Sequence, residues 1–214
     1  MIVALGACGD QSRTVARDSA SGESSPKVVA ERCTVILHGK GGDGQPAVLV
    51  DDNTVRLSPR GNTEGWGGRQ WLYFPDQRYE EALAVVVDTV DAATCQQVIV
   101  GGFSNGAAFV AAMWCRGDTL SGRLVGVVID DPVPDHSADT CAPPAGVPAS
   151  LYWTGALNDM STPGKDCQAI DWTCQDGSLV GIKTYAANLG VAIEESPNVG
   201  HTPFADAPQL SAFP

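Results

Sequence analysis

The stretch Val98-Ile99-Val100-Gly101-Gly102-Phe103-Ser104-Asn105-Gly106-Ala107-Ala108 constrains the fold of this chain more than any other. Its β-branched run reads as a buried strand, and an alanine-rich helix follows after only a few residues. A strand that turns so abruptly into a helix holds its central residue, Ser104, at the apex in a strained backbone conformation. Gly102 and Gly106 stand where side chains would collide, and Ala107 and Ala108 let the helix pack close to the strand. The helix N-terminus offers N–H groups and partial positive charge beside the serine hydroxyl. A glycine-rich turn without chemistry is the plain alternative. The strand before and the helix after favour a nucleophile elbow.

Either side of this stretch, short apolar runs alternate with helical spacing. Residues 33–37, 54–57, 97–100, 124–129, 150–153 and 191–194 read as strands, and 79–90, 107–114 and 179–189 as helices. Glu80 and Glu81 fall in the first turn of the first helix, as its dipole favours. A proline-rich connection runs over 131–148. The alternation implies right-handed βαβ units: an α/β class, doubly wound, mostly parallel sheet of about six strands flanked by helices. In such sheets the chemistry gathers beyond the carboxyl ends of the strands. No apolar stretch is long enough to span a membrane.

A serine nucleophile needs an acceptor for its proton, and histidine is the usual one. His38 sits in the turn after the first strand, where packing or loop orientation is its expected role, and His136 lies among aspartates in the proline-rich connection. His201 follows the last strand, so the order is nucleophile, acid, base. The acid orients the imidazole and stabilises its charged form. Asp159, a few residues past the fifth strand, is favoured; Asp171, between Cys167 and Cys174, is the rival, and Asp130 and Asp131 come third. The oxyanion needs two backbone donors. Asn105 supplies one, and Lys40 or Gly41, in the glycine-rich turn after the first strand, the other. That turn lacks the GxxxxGK[ST] pattern of a phosphate loop. Trp66, Trp71, Tyr73, Phe74 and Phe103 are candidates to line a pocket, with core packing the alternative.

The first residues read differently. Met1-Ile2-Val3-Ala4-Leu5 is a short apolar run, and Leu5-Gly6-Ala7-Cys8 resembles the lipobox of bacterial lipoproteins, with Cys8 the lipidated residue. The basic n-region and longer apolar h-region of such a signal are missing or cut short. Residues 1–26 are therefore expected to be a signal remnant and tether, and 27–214 the catalytic domain. With Cys8 set aside, six of the seven cysteines remain, an even set that suits disulfides in an exported protein. Cys33 and Cys95 each begin a strand, so parallel neighbours would pair them. Cys167 and Cys174 can close a short loop, which leaves Cys115 with Cys141. Zinc is the rival, but there is no CxxC pair and there are three histidines. A net charge of −12 argues against a nucleic-acid partner.

His38-Gly39, Gly102 to Gly106, Asp159 and His201, in that order, resemble the α/β-hydrolase superfamily over residues 33–204. The compact esterases, cutinase-like enzymes and polyester or feruloyl esterases are the nearest members. A carboxylate in a small disulfide loop, as at Asp171, is similar to the arrangement in cutinases. The resemblance implies hydrolysis of a small or polymeric ester through an acyl-enzyme with no cofactor, and the lipobox and the cysteine set imply a protein lipid-anchored or secreted. Peptide cleavage, acyl transfer or non-catalytic binding at a surface are the alternatives.

Overall fold

The computed structural model describes residues 30–65, 67–155 and 180–214. Cys8, Trp66, Asp159, Cys167, Asp171 and Cys174 lie outside the described residues. The strands are β1 (Arg32–Leu37), β2 (Gln45–Leu49), β3 (Thr54–Ser58), β4 (Thr63–Gly65), β5 (Gly68–Gln70), β6 (Gln97–Phe103), β7 (Leu124–Asp130), β8 (Ala149–Trp153) and β9 (Ile193–Glu195). Seven of them form one sheet in the order β2-β3-β1-β6-β7-β8-β9, and β4 and β5 pair as a separate hairpin. All pairings in the large sheet are parallel except β2 with β3. This is the α/β architecture expected from the sequence.

The helices are α1 (Asp76–Ala92), α2 (Asn105–Cys115) and α3 (Ile182–Leu189). Helix α1 buries Tyr79, Ala82, Val86 and Val90, a stripe at helical spacing, and opens with Asp76 in its first turn. Every residue of α2 is buried, which explains a composition of small and apolar side chains with no polar face. Gly190, at φ 71°, ends α3 in the left-handed conformation. All three helices pack in one core with Cys33, Val35, Leu37, Val98, Val100, Ile129 and Leu151. The opposite face of the sheet carries a smaller cluster: Ile99, Val128 and Tyr152 against Ala207 and Leu210 around a short 3₁₀ turn, Pro208–Ser211.

Strand β2 was not expected. Its five residues are all exposed, so no burial alternation marks it, and only pairing with β3 reveals it.

Two disulfides match the expected pairing. Cys33 pairs with Cys95 and Cys115 with Cys141. The first follows from register: β1 and β6 are parallel neighbours, Cys33 lies opposite Val98, and Cys95 stands two residues before β6 begins. The second joins the end of α2 to the connection before β8, so both bonds lie at the amino-terminal end of the sheet. Among the described residues, no helix is long and apolar enough to cross a membrane.

Candidate active site

Ser104 stands between the last residue of β6 and the first of α2, at φ 54° and ψ −116°. A non-glycine residue at positive φ is strained, and it is held here by its neighbours: the Ser104 N–H donates to Asp130 O at 3.0 Å and Ala108 N–H to Ser104 O at 3.0 Å. The flanking glycines are sterically required. A Cβ on Gly102 would lie 2.4 Å from Gly106 O, and one on Gly106 would lie 2.5 Å from Leu37 O.

His201 meets the serine. Its Nε2 is 2.8 Å from Ser104 Oγ, across 97 residues of chain. Its Nδ1 is 2.5 Å from Asp131 Oδ2. The Asp131 side chain is fully buried, whereas that of His201 keeps 30% of its surface exposed. Thr154 fixes the carboxylate, its N–H donating to Oδ1 at 3.0 Å and its hydroxyl to Oδ2 at 2.8 Å. With Asp131 accepting from Nδ1, the imidazole presents Nε2 as an acceptor to the serine hydroxyl, the arrangement proton removal requires.

The carboxylate behind the imidazole among the described residues is therefore Asp131, one of the pair placed third by the sequence, while Asp159 and Asp171 lie outside the described residues. Register places Asp131 there. Phe103 lies opposite Asp130 in the β6–β7 ladder, so the next residues, Ser104 and Asp131, leave neighbouring strands side by side. Asp131 also takes a positive φ, 45°, as the chain turns off β7. Its twin points elsewhere: Asp130 Oδ2 accepts the Phe204 N–H at 2.6 Å and thereby anchors the segment that carries His201. Burial pushes the Asp130 carboxyl up to about 6, with the Asp131 charge adding to the rise.

Of the other histidines, His136 lies in a 3₁₀ turn, half exposed, with Nδ1 2.7 Å from Asp139. His38 orients its loop, as expected: Nδ1 faces Gly39 O at 2.7 Å and Nε2 accepts the Gly61 N–H at 3.0 Å. Burial lowers its pKa, which favours the neutral ring that this pair of bonds needs.

The two donor candidates in that loop part company. The Gly41 N–H donates to Arg69 O at 2.9 Å, and Arg69 N–H to Gly42 O at 2.7 Å, so the hairpin β4–β5 claims Gly41 and the expectation for it is corrected. Gly39 lies against the elbow, a Cβ there falling 3.2 Å from Ser104 Cβ. The Asn105 N–H belongs to the first turn of α2, where helix geometry offers it no carbonyl. Its side chain, which sequence reasoning passed over, forms two hydrogen bonds with the backbone of Trp71.

Trp71 and Tyr73 are core residues that stack on Phe109. Phe74 is 45% exposed. Phe103 lies with its ring centroid 4.6 Å from that of His201 and also lines a cavity of about 260 Å³. Ile36, Val128, Pro203, Phe204 and Leu210 are among its apolar lining residues, with Asp130 beside them. Among the described residues, no three His, Cys, Asp or Glu side chains converge as a metal site would.

Comparison of the sequence with protein-family models and with curated proteins finds no match. Solved structures do match in shape. A carboxylesterase from Bacillus cereus superposes with a TM-score of 0.52 at 19% identity, covering 84% of this chain and 85% of that one. A carboxylesterase from Mesorhizobium loti gives 0.50 at 15% identity, covering 85% and 86%. A protein of unknown function from Agrobacterium tumefaciens gives 0.51 at 15%, covering 84% and 87%. The chain thus has the α/β-hydrolase fold, in the form that these bacterial carboxylesterases share.

Proposed function

We propose that this protein is a serine hydrolase that cleaves carboxylic esters through an acyl-enzyme, with Ser104 as nucleophile, His201 as general base and Asp131 as the orienting acid. The observation that carries the reading is the unbroken chain of contacts from Ser104 Oγ through the imidazole to a buried carboxylate, 2.8 Å and then 2.5 Å. His201 Nε2 removes the serine proton as Oγ attacks the ester carbonyl carbon, and the C–O π electrons move onto the carbonyl oxygen. The Asn105 N–H and a second donor from the turn after β1, for which Lys40 is the candidate, stabilise that oxyanion. The imidazolium then protonates the leaving alkoxide as the C–O bond breaks. Water, deprotonated by the same nitrogen, attacks the acyl-enzyme; as the second tetrahedral intermediate collapses, the bond to Ser104 Oγ breaks, the imidazolium returns its proton to that oxygen and the acid leaves.

An ester substrate is preferred because both carboxylesterases described above share the fold. The cavity beyond Phe103 suits an apolar portion of such a substrate. The two disulfides support an extracytoplasmic setting. A lipid on Cys8 would hold the protein at a membrane surface, a reading that rests on the sequence alone.

The test is labelling by a fluorophosphonate probe together with hydrolysis of p-nitrophenyl esters. Wild type is expected to label and turn over, and Ser104→Ala to do neither while remaining folded. A folded wild type that is inert to the probe would falsify the assignment.

A further inference from the structure

The side chain of Asn105 forms an unusual pair. Its Oδ1 accepts the Trp71 N–H at 2.7 Å, and its Nδ2 donates to Trp71 O at 3.0 Å. The carboxamide thus engages one residue's backbone through both its donor and its acceptor, as a neighbouring strand would. Asn105 is 5% exposed, so both bonds are sheltered from water. The same residue is gripped again one turn along the helix: the Trp71 indole stacks on Phe109 with centroids 5.5 Å apart and an interplanar angle of 14°. Trp71 is wholly buried, yet its indole Nε1 has no hydrogen-bond partner among the described residues. Its polar attachment in these contacts is made through its backbone and not its ring nitrogen.

Helix propensity does not explain an asparagine here. Asn is a good cap and a poor helix former, yet it stands inside α2 as the first residue with its side chain turned away from the capping role. What the two bonds do is fix residue 105 itself. Its carboxamide has two rotatable bonds, and pairing both polar ends leaves neither free. The backbone N–H of that residue is the donor assigned to the oxyanion.

We infer that Asn105 is a positioning residue: clamped on the Trp71 backbone, its side chain holds its own N–H, and with it the first turn of α2, at the angle that meets the developing oxyanion. The side chain does not touch the substrate. The inference rests on the reading of Ser104 as nucleophile. A displacement of about 1 Å at a catalytic group can cost on the order of 100-fold in rate, so loss of the clamp is expected to act on turnover more than on binding.

The experiment compares Asn105→Ala and Asn105→Leu with wild type on one p-nitrophenyl ester, each rate normalised to active sites titrated with fluorophosphonate. Leu keeps the volume while removing both bonds, so it serves if Ala folds poorly. The control is Val86→Ala, a core truncation in α1 that lowers stability away from the site. The expected result is a fall of about 10- to 100-fold in kcat per titrated site for both Asn105 variants. KM should stay within about twofold, and affinity for a trifluoromethyl ketone that mimics the tetrahedral state should drop by the same factor as kcat. Val86→Ala should lower the melting temperature and leave the rate per site unchanged. If the Asn105 variants lose only stability and keep wild-type kcat per titrated site, the proposal is overturned while the nucleophile stands. If wild type neither labels nor turns over, the nucleophile assignment fails and the proposal goes with it.

Discussion

Asp131 and His201 lie 70 residues apart in the chain and 2.5 Å apart in space. The first is carried there by the end of β7, the second by the segment after β9. Because β6 and β7 are hydrogen-bonded neighbours, Asp131 leaves its strand beside Ser104.

Asp131→Asn should lower kcat by about 10⁴-fold, since an amide behind the imidazole favours the wrong tautomer. Asp159→Asn and Asp171→Asn, assayed on the same ester, should turn over at rates near wild type. Loss of activity in either of those, with Asp131→Asn still active, would move the acid role back to the segment that sequence reasoning favoured.

The order in which the sequence ranks these aspartates has a physical cause. The rule that the acid follows a strand between elbow and base is satisfied equally after β7 and after β8, and only register chooses between them. Asp130-Asp131 also reads as one acidic doublet, although adjacent residues leave the strand with different partners: one takes the Phe204 N–H and the other His201. The strand–turn–helix at Ser104 and the Cys33–Cys95 bond were legible because each depends on local pattern or on neighbouring strands. Strand β2 and the Asn105–Trp71 pair were not, since an exposed strand carries no burial alternation and a side-chain pairing across 34 residues leaves no periodic trace.

Asp130 gives a prediction about pH. Its carboxyl is raised to about 6 by burial, above its ordinary value of 3.8, so between those limits the folded protein binds a proton that the unfolded chain does not. By linkage its contribution to stability grows as pH falls from about 6 towards 4, and is lost as pH rises through 6. Asp130→Asn removes the buried charge and keeps an oxygen for the Phe204 N–H. Its melting temperature should therefore exceed that of wild type at pH 8, by a few degrees, with the gap closing in acid. A gap that is constant with pH, measured by calorimetry, would show that Asp130 does not titrate in this range.

Phe103 packs against His201 and also lines the apolar cavity. Phe103→Ala should open that space towards the reacting centre. In a p-nitrophenyl series from acetate to decanoate, the preference should shift to longer acyl chains by about 10-fold in relative kcat/KM, on the order of two methylenes of extra burial. An unchanged chain-length profile with normal folding would exclude the cavity as an acyl site.

Replacing Cys33 and Cys95 together by alanine releases a cross-link spanning 62 residues, worth about 4 kcal/mol in the chain-entropy description. Chemical denaturation should read that loss. The rate per titrated site should hold, because the bond lies at the opposite end of the sheet from Ser104. A fall in kcat per site larger than about twofold would indicate strain transmitted along β6.

The sheet face on which none of the described α-helices packs has a consequence for how the protein would fail. There the covering is the short 3₁₀ turn: Leu210 O accepts the Thr34 hydroxyl at 2.9 Å, and the Leu210 side chain lies where a Cβ on Gly101 would be, at 2.5 Å. The proposed base sits just upstream, and the segment that follows it is moored first by the Phe204–Asp130 bond and then by this turn. A protease that nibbled the carboxyl terminus would slip that mooring while the three-helix side of the sheet stayed intact. Ageing of the protein would then show as silent molecules, folded by every spectroscopic measure, in which the imidazole has drifted out of step with its serine.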